Sequence, residues 1–176
     1  ITLRFYKTFI KKLSDDMLKI ARDVEFGFIL TLLNIEDNGI AINKEKLENL
    51  IRQNETTLEA IKSEIYALCG MKFNINSTKQ LGEVLFEELK LPSKKKTKTG
   101  YSTDESVLNE LIDLHPSISK ILEYRELYKL QSTYCEPILN LALKDKNSRV
   151  YTSFIHTGTA TGRLSSKNPN LQNIPA

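Results

Sequence analysis

Apolar residues along this chain recur mainly at helical spacing. Between Asn43 and Gly70, the residues Leu47, Ile51, Leu58, Ile61, Ile65 and Leu68 step by four and three, with Asn54 the single polar member of the series. This is an a/d seam over roughly three heptads, and it predicts a helix with a narrow apolar stripe. Asn43 suits an N-cap and Gly70 suits the C′ position, so both ends are marked. So narrow a stripe needs a second helix to cover it. Ser117 to about Leu143 supplies one, with Ile118, Ile121, Leu122, Leu127, Leu130 and Tyr134 inside and Pro137 expected to kink or break it.

Shorter elements fill the interval. Asn76-Ser77 opens a helix over about Thr78–Leu89, stopped by Pro92. Ser102 or Thr103 opens another through Val107, Leu108, Leu111, Ile112 and Leu114, ended by His115-Pro116. Upstream, residues 1–24 read as helical, with Asp15 or Asp16 as a restart. Val24 to Glu36 is apolar on most faces, the pattern of a helix buried in a larger body, and Asn38-Gly39 ends it. Ile40–Ile42 reads as extended and Val150–Ile155 as a strand. The expected fold class is mainly α: two long antiparallel helices with short tip helices, plus a short β segment near the C-terminal end.

Composition narrows the classes. The 176 residues are 40% hydrophobic and 27% charged, which allows one core plus pieces of neighbours. Cys69 and Cys135 are far apart with no CxxC or Cys/His spacing, so neither a disulfide framework nor a zinc site is expected. No run approaches the roughly 20 apolar residues of a membrane span, so no membrane partner is expected. The chain has no GxxxxGK[ST] and no GxGxxG, and His115 and His156 lack a Ser, Cys or Asp partner at a telling spacing. The sequence therefore holds no catalytic constellation of its own. It begins with Ile1, not Met, and both ends read as cut.

Net charge is only +3, but its distribution is uneven. Lys94, Lys95, Lys96 and Lys98 make a compact basic loop between two helices. On charge alone a solvated loop explains it equally well. Asn76, Ser77, Thr78 and Lys79 form a polar helix start on one side, and Ser102 and Thr103 another on the other side. Together they form a candidate grip on a nucleic-acid backbone, acting without sequence preference. Arg125 and Lys129, four apart, share a helix face, where pairing with Glu123 or Glu126 is the simpler reading. In the tail TGTATGRLSSKNPNLQNIPA, the side chains of Arg163, Asn170, Gln172 and Asn173 can donate to minor-groove acceptors. Spacing leaves open the alternative that they are turn residues bonding their own backbone.

The segment TATGRLSSKNPNLQNIP closely resembles a signature of family A DNA polymerases of the bacterial DNA polymerase I type. IEDNGIAIN, FNINSTKQLGEVLFEEL, LPSKKKTKTGYSTDESVL, ILEYRELYKLQSTY and VYTSFIHTGTATG resemble further family segments in the same order, over nearly the whole chain. Tyr151 and His156 depart from the family's usual His and Gln. The resemblance implies residues 1–14 as the end of a 3′–5′ exonuclease-like domain and 15–39 as a helical connection. It implies a thumb over 40–145 and the truncated start of the palm over 146–176. Arg163 would contact the minor-groove edge of the primer-terminal pair, with Asn170, Gln172 and Asn173 lining the same region. Arg125 and Lys129 would lie near the duplex, and Ser77, Thr78 and the lysine loop at its phosphates.

The resemblance further implies a cytoplasmic, nucleoid-associated enzyme of replication and repair, acting as a monomer on primer–template DNA and dNTP. Its Mg²⁺-binding aspartates would lie downstream, leaving this stretch without catalytic residues, cofactor or metal and unable to polymerise alone. A helical protein-interaction module and an architectural DNA-binding module are the rival readings.

Overall fold

The computed structural model describes residues 2–93, 96–97 and 100–175, with the backbone alone at 96–97. The chain forms two compact units, Ile1–Ile42 with Asp145–Ile174, and Asn43–Lys144 with Pro175–Ala176. The expected class holds, since the structure is mainly helical with a few short antiparallel strand pairs.

The second unit is built on helix α4, Lys44–Cys69. (Helices α1, Thr2–Phe9, α2, Asp15–Ile20, and α3, Phe26–Asn38, and strand β1, Ile40–Ala41, precede it in the other unit.) Asn43 caps α4 by accepting the Lys46 N–H at 3.0 Å, and Gly70 closes it in the left-handed region at φ +72°. Ile51, Asn54, Leu58, Ile61 and Ile65 are buried as the heptad predicts, and Cys69 takes the last place that Leu68 was expected to fill. The covering helix is α7, Ser117–Lys129, continuous through a π-helical turn at Leu130–Cys135 with α8, Glu136–Lys144. Lys120 Nζ lies 2.9 Å from Glu64, near the far end of α4, which fixes the antiparallel sense.

Pro137 does not break this second helix. The π turn lies just ahead of it, and the Glu136 N–H reaches back five residues to the Gln131 carbonyl. The wide turn also changes which side chains point inward, because one extra residue rotates the rest of the helix by about 100°. From the turn onward Gln131, Cys135 and Ala142 are buried, whereas Leu130 and Tyr134 are only half-buried; ahead of it Tyr124 is buried and Leu127 half-buried. Asn54 Nδ2 and Gln131 Oε1 are buried in this unit without a hydrogen-bond partner among the described residues.

At one end of the pair, α5 (Thr78–Glu83) continues as a π turn over Val84–Glu88. A two-residue hairpin of β2 (Lys96–Thr97) and β3 (Gly100–Tyr101) precedes α6, Glu105–Asn109. The second short helix is thus briefer than expected and follows Asp104; Ser102 and Thr103 do not cap it. Leu81, Leu85, Leu108, Ile118, Ile121 and Ile65 are fully buried and form the centre of the core. Phe86 and Tyr101 pack beside them in a tilted pair at 4.9 Å between ring centroids.

In the first unit, α1 (Thr2–Phe9) passes into a 3₁₀ turn. Ser14, rather than an aspartate, restarts the chain as the N-cap of α2, Asp15–Ile20. A π turn over Ala21–Glu25 leads into α3, Phe26–Asn38. Within this structure Leu32 is the buried side chain of α3, and Phe26, Ile29, Leu30, Leu33 and Ile35 are exposed; the expectation is of burial in a larger body. Strand β1 (Ile40–Ala41) pairs antiparallel with β4 (Arg149–Val150). β5 (Ser153–Ile155) pairs with β6 (Ser165–Lys167), matching Ser153 to Lys167 and Ile155 to Ser165. The single strand expected over 150–155 is therefore divided between two sheets, with Thr152 buried at the break and bonded to the Pro169 carbonyl at 2.6 Å.

Candidate nucleic-acid interface

The sequence-selected residues fall into three groups. In the second unit, Thr78 and Lys79 share a cleft of about 450 Å³ with Ser102 and Thr103, so the two polar stretches do meet. Their groups are not all presented outward. Ser77 Oγ accepts the Gln80 N–H at 3.4 Å as the cap of α5. Asn76 donates to the Tyr124 hydroxyl at 3.4 Å, and Lys79 lies 3.9 Å from Glu83. Ser102 and Thr103 are buried, with the Ser102 hydroxyl 2.8 Å from an Asp104 carboxylate oxygen. Glu83, Glu87 and Asp104 line the same cleft and oppose an anion there. Lys94, Lys95 and Lys98 lie outside the described residues, and of Lys96 only the backbone is described.

The second group is Arg125 and Lys129 on α7, which line a cleft of about 380 Å³ with Glu105 and Glu126. Arg125 is half-buried. Its guanidinium donates to the Thr103 carbonyl and, at 3.1 Å, to the Thr103 hydroxyl. Burial pulls its pKa below the ordinary guanidinium range, and the nearby Asp104 charge opposes this. Arg125 thus joins α7 to the segment before α6. Lys129 is exposed and has no ion-pair partner among the described residues.

The third group lies in the first unit, where Arg163, Asn170, Gln172 and Asn173 line one cleft of about 650 Å³ with Thr159, Thr161, Leu164 and Ser165. Strand β6 contributes Ser165 to it. Asn170 Oδ1 accepts the Gln172 N–H at 3.1 Å, and the Gln172 side-chain amide donates to the Leu164 carbonyl at 2.9 Å. Ser166 Oγ accepts the Leu171 N–H at 3.0 Å, and the Thr159 hydroxyl donates to the Arg163 carbonyl at 2.7 Å. Asn170 and Gln172 are therefore engaged with their own turn, the alternative that spacing had left open. Arg163 and Asn173 are exposed, and the Arg163 guanidinium has no partner among the described residues.

Sequence reasoning missed the backbone support of this cleft. Phe154 donates its N–H to the Glu36 carboxylate, and Arg149 donates to the Asn38 and Gly39 carbonyls at the end of α3. These partners lie more than 100 residues apart along the chain, and no local pattern announces them. Among the described residues no group of three or more His, Cys, Asp or Glu side chains is placed to hold a metal ion. No helix among them is long and apolar enough to cross a membrane.

The chain belongs to DNA polymerase family A, whose sequence model matches residues 44–176. It is 48% identical over 163 residues to DNA polymerase I of Helicobacter pylori (strain J99 / ATCC 700824), covering 93% of this chain and 18% of that protein. To DNA polymerase I of Treponema pallidum (strain Nichols) it is 46% identical over 176 residues, covering 99% of this chain and 18% of that one. It thus spans less than a fifth of the length of these two relatives. A solved structure of the POL domain of Pol1 from M. smegmatis, in complex with DNA primer-template and dNTP, matches with a TM-score of 0.79 and 38% identity. That match covers 92% of this chain and 28% of the other.

Proposed function

We propose that this chain is the duplex-gripping part of a DNA polymerase I, a template-directed DNA nucleotidyltransferase of replication and repair. Residues 40–145 serve as the thumb, 146–176 as the start of the palm, 15–39 as the helical connection and 1–14 as the end of an exonuclease-like domain. The protein works in the cytoplasm, at the nucleoid, as a monomer on primer–template DNA and dNTP. The observation that carries this reading is Arg163, an exposed guanidinium without a partner among the described residues, on a cleft whose neighbouring amides are fixed to the backbone. A free donor anchored by its backbone to such a frame suits minor-groove acceptors that every base pair presents alike. The likeness to a Pol1 structure holding primer-template DNA supports it. Lys129 adds charge toward phosphates, and the lysine loop at 94–98 extends that role.

Mg²⁺ chemistry belongs to the intact polymerase. The carboxylates described in this chain do not form a set that fits the ion. In the complete polymerase, Arg163→Ala is expected to slow primer extension by roughly 5- to 150-fold, in line with the ~1–3 kcal/mol of a good base-edge contact, with folding intact. Extension at the wild-type rate by the folded variant would overturn the assignment.

A further inference from the structure

We propose that Glu36 is a positioning residue for the Arg163 cleft; this rests on the reading of that cleft as a duplex contact. The β5–β6 pair has an open edge on the β5 side, and an unpaired backbone N–H there costs free energy once it is shielded from water. The Phe154 N–H on that edge is received by Glu36 Oε1, from the last turn of α3, in a half-buried contact between residues 118 apart in sequence. The carboxylate does for β5 what a third strand would do.

Two features distinguish Glu36 from an ordinary surface acid. It stands near the C-terminal end of a helix, where the macrodipole disfavours an anion, and the last turn of α3 carries no basic residue. The helix end is also immobilised by Arg149, which donates to the Asn38 and Gly39 carbonyls. Arg149 thus fixes the base from which Glu36 reaches. From Phe154 the constraint passes through the matched pairs Phe154–Ser166 and Ile155–Ser165 to Leu164 and Arg163. The Gln172 amide on the Leu164 carbonyl and the Thr159 hydroxyl on the Arg163 carbonyl complete the frame. A change at Glu36 is therefore expressed at Arg163 without touching it.

The test uses the complete polymerase as wild type, Glu36→Ala, Glu36→Gln, Arg163→Ala and the Glu36→Ala/Arg163→Ala double variant. Hydrogen exchange at the Phe154 amide reads the bond directly. Protection should fall about tenfold or more in Glu36→Ala and be largely kept in Glu36→Gln, whose amide oxygen still accepts. Primer extension reads the consequence. Glu36→Ala should slow it severalfold in the wild-type background and add little in the Arg163→Ala background. Unchanged Phe154 protection in Glu36→Ala, or an equal slowing in both backgrounds, would overturn the positioning role. Normal extension by Arg163→Ala instead removes the proposed function of the cleft, and with it the claim that Glu36 acts on DNA.

Discussion

Arg125 and Lys129 sit one turn apart on α7, and their different surroundings predict opposite consequences when each is replaced. The Arg125 guanidinium makes two bonds to Thr103, which is only 3% exposed. A hydrogen bond from a charged donor contributes about 1.5–3 kcal/mol, and leaving a buried carbonyl unpaired costs about 1–3 kcal/mol. Arg125 is half-buried and loses hydration on folding, so the low end applies. Arg125→Ala should then destabilise this unit by about 3 kcal/mol. Lysine has no planar fork, so Arg125→Lys should lose roughly half of that. Thr103→Val, which removes the hydroxyl and keeps the carbonyl, should cost about 1 kcal/mol, and less when Arg125 is already alanine. Lys129→Ala should stay within about 0.5 kcal/mol of wild type while reducing the salt dependence of duplex binding. Urea denaturation followed by far-ultraviolet circular dichroism measures the stability changes at all three positions. Duplex binding titrated against salt measures the charge effect of Lys129. Equal stability costs at positions 125 and 129 would refute the clamp argument.

The remaining predictions concern the core and the sheet. Leu85 is fully buried, so Leu85→Ala should cost about 2–5 kcal/mol in the same denaturation assay. Asp145 accepts N–H bonds from Arg149 and Asn147 and a bond from the Tyr151 hydroxyl, and these interactions, led by the Arg149 N–H, hold its pKa below the ordinary carboxylate value. A group depressed in the folded state contributes stability that is fully present above the unfolded value, near 3.9, and is lost as pH falls through the folded value. Acid titration of the wild type and of Asp145→Asn should therefore diverge above that window and converge below it. Parallel curves throughout would contradict this.

The second unit was more legible in sequence than the first. The seam of α4 obeys a local rule, and Asn43 and Gly70 mark its ends where the structure has them. Sequence periodicity failed beyond Lys129 because a π turn shifts the inward face, bringing Gln131 and Ala142 inside in place of larger apolar residues. Ser102 and Thr103 read as a helix start because their chemistry suits one. Both are buried instead, and Thr103 is bonded by Arg125, 22 residues along the chain, which no local pattern discloses. Ser165–Lys167 lacks a strand-like alternation and becomes a strand because β5 lies beside it. In the tail, residue type identified the cleft members, but only geometry separated the donor facing solvent, Arg163, from Asn170 and Gln172, which serve the turn.

The β1–β4 pair carries a consequence for how this polypeptide can be edited. The Ile42 N–H bonds the Ser148 carbonyl at 2.9 Å, immediately beside the matched residues Ala41 and Arg149. Everything from Asn43 to Asn147 is thereby a loop closed at its base. Closure entropy grows only logarithmically with length, by about 0.6 kcal/mol for each doubling, so lengthening an excursion that is already long costs the pair little. An excursion that folds on two antiparallel helices also returns its own ends to one another. The helical unit therefore has the connectivity of a cassette, one that could be lengthened, exchanged or replaced by a tight turn while the strands at its base keep their register.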